Sequence, residues 1–286
     1  MSDNLVIWLQ GESYKIDTID DFQDKFFNHI YFSYKKNFEP FKGTDITSDS
    51  GWGCTLRCAQ MILHQSLMTL DKNYNWRGLF LDDYNSTFSI HNLCKYKKIN
   101  DIEIKEWVGP SFASNLLKYA LMDSKYKKHF DIEIAKDTMI IKKNYSIPTI
   151  IFVPLRLGLT QIEPIYYHYL YILFTYGNFI GFIGGSNFSA YYFVAIDSEL
   201  QLYYLDPHLT QDLKKEVKYT SDIIKKIHIC EIDPNLSLCF VCNTSEELNN
   251  FYKMINDSIL PIGIIDEIQS INDLEVEEEN DWMLLT

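Results

Sequence analysis

The 286-residue chain has no surplus of positive charge to bring to a polyanion, its formal net charge being −13. Nucleic acid is therefore not expected as its main partner. Much of the acidity is local: from Asp266 onward there are eight carboxylates and no Lys or Arg, which leaves about −5 for the rest. Cysteine is too sparse for a disulfide scaffold. The six present, Cys54, Cys58, Cys94, Cys230, Cys239 and Cys242, point to a reduced protein. Met1-Ser2-Asp3-Asn4 offers neither a basic start nor an apolar signal core, so a cytosolic location is expected. Asp, Glu, Lys and Arg are missing altogether from Pro164 to Ile196, a run long enough to raise the question of a membrane span. His168, Asn178, two glycines and many tyrosines interrupt its apolar part, and no cationic anchors flank it. A buried helix followed by a buried strand is expected instead, and no transmembrane segment. No internal repeat is visible.

What the chain has is apolar mass, with 47% hydrophobic and 15% aromatic residues, enough for a substantial core. Leu5 to Leu9 reads as a short strand with a turn at Gly11-Glu12-Ser13. Ile19 to Asn37 reads as an amphipathic helix with Phe22, Phe26, Phe27 and Ile30 on one face. Asp71 to Lys105 is irregular, and Lys95-Tyr96-Lys97-Lys98 reads as a solvated surface. A capped helix is expected from Ser111 to Leu121, and a strand or hairpin within Asp131 to Ile141. The apolar run Ile147 to Leu159 reads as a central strand entered at Pro148. Phe179 to Ile183 leads to the loop Gly184-Gly185-Ser186-Asn187-Phe188-Ser189. Tyr191 to Ile196 and Leu200 to Leu205 then form an antiparallel hairpin. A strand over Leu236 to Val241 and a helix over Ser245 to Met254 complete an α+β body.

The chemistry centres on Thr47 to Leu63. Small polar residues and two glycines around Trp52 read as a turn, and Leu56, Met61, Leu63 and Leu67 follow at near-helical spacing. Cys54 sits where loop becomes helix, where unpaired N–H groups and the helix dipole stabilise a thiolate. Asp206 and His208 lie two apart at the end of the hairpin. If the chain is extended there, both side chains point the same way, and Pro207 keeps helix from forming across them. A carboxylate that holds an imidazole, facing a cysteine at a helix start, is the machinery of thiol catalysis. Each element alone also fits a blander reading, a packed cysteine or an ordinary turn. Together they point to catalysis.

Thr47-Ser48-Asp49, Gly51-Trp52-Gly53-Cys54, Leu56-Arg57-Cys58 and Gln60-Met61-Ile62 resemble the nucleophile region of the autophagins, the autophagy-related 4 cysteine proteases. The resemblance continues through Trp107-Val108-Gly109-Pro110, Pro154-Leu155-Arg156-Leu157-Gly158-Leu159 and Gly184-Gly185. It reaches Tyr204-Leu205-Asp206-Pro207-His208-Leu209-Thr210-Gln211 and Asp233-Pro234, covering most of residues 5–260. It implies a papain-like fold with a small inserted subdomain, as a catalytic domain over 1–265 with an acidic flexible tail over 266–286. It further implies a Cys54–His208–Asp206 triad with Tyr34 assisting at the oxyanion, and a substrate slot between Trp52, Trp107 and the loop after Gly185. The implied reaction is cleavage after the C-terminal glycine of an autophagy-related 8 ubiquitin-like modifier. Both the precursor and the modifier linked to phosphatidylethanolamine at membrane surfaces would be substrates. A catalytically silent adaptor that binds the modifier is the alternative, though it has no need of all three catalytic groups.

One loop departs from the family. It usually reads G-G-K-P-N-S-A, and in relatives its proline packs on the tryptophan matched by Trp107 to close the empty site. Asn187 stands there in this chain, with Phe188 beside it as a substitute, and a site more open at rest is expected. In the tail, Trp282 and Leu285 follow acidic residues and resemble the family's modifier-binding motif, suited to strand addition on a basic partner. His228, Cys230, Cys239 and Cys242 are possible zinc ligands. However, Cys239 and Cys242 lie in an apolar strand whose geometry puts their sulfurs on opposite faces. No metal and no cofactor are expected. Cys58 reads as a packed helix residue, and His64, His129 and His168 as structural or surface groups.

Overall fold

The computed structural model describes residues 5–142, 148–213 and 224–266. Strands β1 (Ile7–Leu9) and β2 (Glu12–Tyr14) form a hairpin at the start. Helix α1 (Ile19–Phe27) buries Phe22 and Phe26. It is ten residues shorter than the helix expected to reach Asn37. The buried His29 turns Nδ1 back onto the carbonyls of Lys25 and Phe26, at 3.1 and 3.2 Å. The chain beyond is not helical, and it leads to the two-residue strand β3 (Lys35–Lys36).

Helix α2 (Cys54–Leu70) begins on the cysteine, and every residue from Cys54 to His64 is buried. A helix covered on all sides is a core helix. The stretch read as irregular contains helix α3 (Ile90–Ile99), whose N-cap Ser89 accepts a hydrogen bond from the Asn92 N–H at 3.1 Å. Lys97 is wholly buried within it, so the basic cluster there is only partly a solvated surface. Pro110, whose ring presets the helical φ, opens α4 (Pro110–Met122). The expected hairpin at 131–141 divides. Its strands β4 (Asp131–Ile134) and β5 (Met139–Lys142) pair in different sheets, and Lys136, past the end of β4, bridges back to Met139.

The apolar run becomes β6 (Thr149–Arg156). The charge-free stretch folds as a seven-residue helix, α5 (Tyr167–Leu173), followed by β7 (Phe179–Ser186) and β8 (Ser189–Asp197). Among the described residues no helix is long and apolar enough to cross a membrane. The expected strand and helix boundaries hold closely for β9 (Gln201–Leu205), while β10 (Gln211–Asp212) and β11 (Lys225–His228) are additional. Strand β12 (Asn235–Cys242), helix α6 (Ser245–Asp257) and strand β13 (Gly263–Asp266) complete the described chain.

The main sheet runs β11-β9-β8-β7-β12-β6-β4, with β1 and β2 joined to β8. Its pairings are antiparallel except β4 with β6. Both faces are covered. Ile150, Phe152, Cys239 and Val241 join the core under α1 to α4, while Ile151, Val153, Leu238 and Phe240 join the core under α5 and α6. Burial on both faces is why these strands read as unbroken apolar runs, and each such side chain contributes about 1.5–3 kcal/mol. Helix α2 lies against β7 and β8, which sets its N-terminus beside the end of the β8–β9 hairpin.

Candidate active site

The loop before Cys54 is fixed by a buried post, Asp49. Its Oδ1 accepts the Lys35 N–H at 2.6 Å and its Oδ2 accepts Arg57 Nε at 2.6 Å. Its carbonyl takes the N–H groups of Trp52 and Gly53 at 3.2 and 2.9 Å. Arg57, wholly buried, also reaches Gln60 and Asp82, at 3.0 and 2.8 Å. A buried ion pair is tolerable only when well paired; here Arg57 Nε and Nη1 are bonded, while its Nη2 is buried without a partner. At Gly53 a Cβ would lie 2.7 Å from the Asp49 side chain, so only glycine lets the chain fold onto its post and start α2 at Cys54. Trp52 donates Nε1–H to the Ser48 carbonyl at 3.1 Å and stands buried beside it.

The partner groups come from the end of β9. His208 Nδ1–H donates to Asp206 Oδ1 at 2.5 Å, and the His208 backbone N–H donates to the same oxygen at 3.0 Å. The segment is therefore a turn closed by its own carboxylate, not the extended dipeptide expected. The reading of D-P-H as a turn holds. Lys225 Nζ holds the other oxygen, Asp206 Oδ2, at 2.6 Å, and Tyr31 Oη donates to the Asp206 carbonyl at 2.6 Å. Neither residue was legible in the sequence, since both reach the site from remote segments.

A small parallel ladder joins the two halves. Strand β3 pairs with β10, and the Tyr34 N–H donates to the Pro207 carbonyl at 2.9 Å. The Tyr34 and Tyr191 rings then pack edge-on against the imidazole, with centroids at 5.4 and 5.6 Å. With Nδ1 committed to Asp206, the His208 ring stands close enough to Cys54 for each to shift the other's titration, and Tyr34 and the Ala190 backbone N–H act on the same thiol.

The electrostatics follow. Burial pushes the Cys54 thiol up, but the hydrogen bonds from His208, Ala190 and Tyr34 and the charge on His208 bring it down to about 7. Burial disfavours charge on His208, but Asp206 and Cys54 hold its pKa up at about 9. Burial also acts against Asp206, and the bonds from His208 and Lys225 overcome it, keeping the carboxyl well below the usual range. Tyr34, raised by burial and by Cys54, stays a neutral donor. The pair can thus stand as thiolate and imidazolium near neutral pH.

Beside these groups runs a cleft of about 470 Å³, with Trp107, Leu159, Gly184, Gly185, Phe188 and Asp233 in its lining. Leu159 and Asp233 belong to the resemblance, which assigns them no role in the slot, and they line it as well. Asn187 and Phe188 are the two turn residues between β7 and β8, both left-handed, with φ of 51° and 64°. Phe188 is 99% exposed and Trp107 49% exposed, so Phe188 does not take the place of a clamping proline over Trp107. Cys58 is wholly buried, and burial drives its thiol well above the ordinary range. Cys239 and Cys242 belong to the cores on opposite faces of the sheet, as their spacing predicts. His228 Nδ1 and Cys230 Sγ lie 2.9 Å apart at the surface. Of the other histidines, His64 is buried. Trp282 and Leu285 lie outside the described residues.

A family model, the peptidase C54 catalytic domain, matches residues 19–254. The chain belongs to the peptidase C54 family. It is a cysteine protease of the autophagy pathway, with the papain-like arrangement of a cysteine-led helix on an antiparallel sheet. The cysteine protease ATG4B of Gallus gallus is 27% identical over 91% of this chain and 82% of its own. That of Xenopus laevis is 26% identical over 96% and 85%, and the human ATG4A 26% over 89% and 79%. Among solved structures, that of UfSP from C. elegans overlays 73% of this chain and 33% of its own, with a TM-score of 0.36 and 15% identity. That distance adds nothing to the assignment.

Proposed function

We propose that Cys54 is the nucleophile, His208 its acid and base, and Asp206 the group that orients His208. The observation that supports this best is the His208 Nδ1–H bond to Asp206 Oδ1 at 2.5 Å, on an imidazole close enough to Cys54 to lower its thiol's pKa. The Cys54 thiolate attacks the carbonyl of a terminal glycine in the cleft. Tyr34 and the Cys54 N–H stabilise the oxyanion, where loss of one donor typically costs about 10²–10³ in turnover. His208 protonates the leaving amine, and water then hydrolyses the acyl-thioester as His208 takes back a proton. Trp52, Trp107, Gly185, Asn187 and Phe188 form the slot that receives the glycine-ended chain.

The substrate is an autophagy-related 8 ubiquitin-like modifier, cleaved after its C-terminal glycine in the precursor and released from phosphatidylethanolamine in the conjugate. This rests on the family. Trp282 and Leu285 in the acidic tail, 266–286, hold the modifier while the catalytic domain, 1–265, cuts it. The adaptor reading gives way because this family is one of active proteases.

The test is cleavage of a modifier extended beyond its glycine, wild type against Cys54→Ser. Cleavage by the wild type alone identifies the nucleophile and the reaction together. Tight binding with no cleavage by either protein would return the adaptor. Deleting Asp273 to Thr286 is expected to weaken modifier binding, and unchanged affinity would remove the tail from the scheme.

A further inference from the structure

A second and larger cleft, about 710 Å³, opens between α3 and the Phe41–Lys42 segment. Its charged lining is Lys42, Lys95 and Lys98, and no carboxylate lines it, in a chain of net charge −13. The wall is built in advance of any ligand. The rings of Phe41 and Tyr84 pack on buried His91 with centroids at 4.9 and 4.6 Å. Tyr84 Oη accepts the Lys42 N–H at 2.8 Å and donates to the Pro40 carbonyl at 2.9 Å. Lys42 Nζ then lies 5.0 Å over the Tyr84 ring. Lys95 pairs with Asp123 at 3.2 Å across an exposed surface, a weak bond that an incoming anion can displace. Lys98 has no ion pair among the described residues.

Apolar side chains stand around this charge. Ile99, on the lining of the cleft, is 65% exposed, and Met122 and Tyr119 on the neighbouring α4 are 49% and 39% exposed. The face is continuous, because Tyr96 and Tyr119 pack at 6.0 Å and Asp123 is held by both Lys95 and Tyr96. Lys125, Lys127 and Lys128 follow directly after α4. Cations interleaved with exposed aliphatic and aromatic groups suit a bilayer interface, where the first meet phosphate and the second enter the acyl boundary.

We propose that this cleft seats the phosphate-bearing headgroup of an anionic phospholipid, with Ile99, Tyr119 and Met122 at the membrane interface. The membrane setting rests on the proposed release of a lipid-linked modifier, whereas the chemistry of the cleft does not. A free phosphate would satisfy the lysines alone, but it gives no reason for the exposed apolar rim.

The test is co-flotation of the full chain with vesicles of phosphatidylcholine alone, or of phosphatidylcholine with phosphatidylserine. The wild type is compared with Lys42→Glu/Lys98→Glu and with Ile99→Ser. Binding to the anionic vesicles only is expected. Each lysine lost costs about fivefold, so the double variant falls by roughly 25-fold or more, and Ile99→Ser falls several-fold. All three proteins should melt alike and cleave the soluble extended modifier alike. Equal binding to both vesicles, or an unaltered double variant, overturns the proposal. So does full displacement by millimolar inorganic phosphate, which assigns the cleft to free anions, or by soluble polyglutamate, which assigns it to an acidic peptide. Vesicle binding without any modifier cleavage would sink the proposed function and leave this site standing.

Discussion

Lys97 Nζ lies 5.0 Å over the ring of Trp52 and also donates to the carbonyls of Ile104 and Glu106, at 2.6 Å each. One buried cation thereby grips the wall beside Cys54 and the segment that leads into Trp107. Burial lowers its pKa, yet two carbonyls and an aromatic face give its three N–H groups partners. A helix that carries no group of the proposed triad thus positions both tryptophans of the slot.

Lys97→Met keeps the apolar stem and removes the ammonium. Two partly buried carbonyls then lose their donor, at about 1 kcal/mol each, which lowers Tm by roughly 4–8 °C. Because Trp52 and the Trp107 segment lose a common anchor, KM for the modifier should rise more than kcat falls. Melting curves and steady-state kinetics check this. An unchanged KM with a lowered Tm would reduce Lys97 to a packing role.

The two pKa values near the cysteine set a pH window. Cys54 lies at about 7 and His208 at about 9. Below the first, the thiolate is protonated; above the second, the imidazolium loses the proton destined for the leaving amine. The profile of kcat/KM should therefore rise through about pH 7 and fall through about pH 9, as two values belonging to the coupled pair. Asp206→Asn removes the charge that holds His208 up, so the alkaline limb should move to lower pH. A falling limb that stays in place would separate it from His208.

The sequence carried the groups of the proposed site because each lies in a local pattern: G-W-G-C at a helix start, D-P-H at a hairpin end. It carried the buried strands because both faces of the sheet are covered. It did not reveal α3, since Lys97 interrupts the apolar periodicity and its burial depends on carbonyls from another loop. The end of α1 depended on His29 folding back, which no spacing signals. Lys225 and Ala190 reach the site only through tertiary pairing of β11 with β9 and of β8 with its neighbours, and Tyr31 from a remote loop; Lys225 lies 19 residues from its partner Asp206.

The unclamped rim predicts that Trp107 does not limit access to the thiol. Trp107 is half-exposed and Phe188 projects fully into solvent, while Cys54 itself is buried. Trp107→Ala should change the rate of alkylation by a small thiol reagent by no more than about twofold, since there is no closed state to release. Its effect should fall on modifier KM. A large rise in alkylation would show that the tryptophan acts as a lid at rest.

Phe188 carries the sharpest separation of stability from function. A non-glycine residue in the left-handed region costs roughly 1–2 kcal/mol, and a two-residue hairpin turn of this kind prefers Asn-Gly. Here the second position is a phenylalanine with its ring in solvent, which contributes nothing to the free fold. Strain that persists at the rim of a cleft points to use. Phe188→Gly should raise Tm by about 2–4 °C and weaken modifier binding by about 10–100-fold if the ring is buried on contact. Phe188→Ala loses the same ring but keeps the strained backbone, so its KM should rise equally with no gain in Tm. If both variants cleave like the wild type, the ring has no part in binding. If Phe188→Gly fails to stabilise, the turn is held by something other than its own conformation.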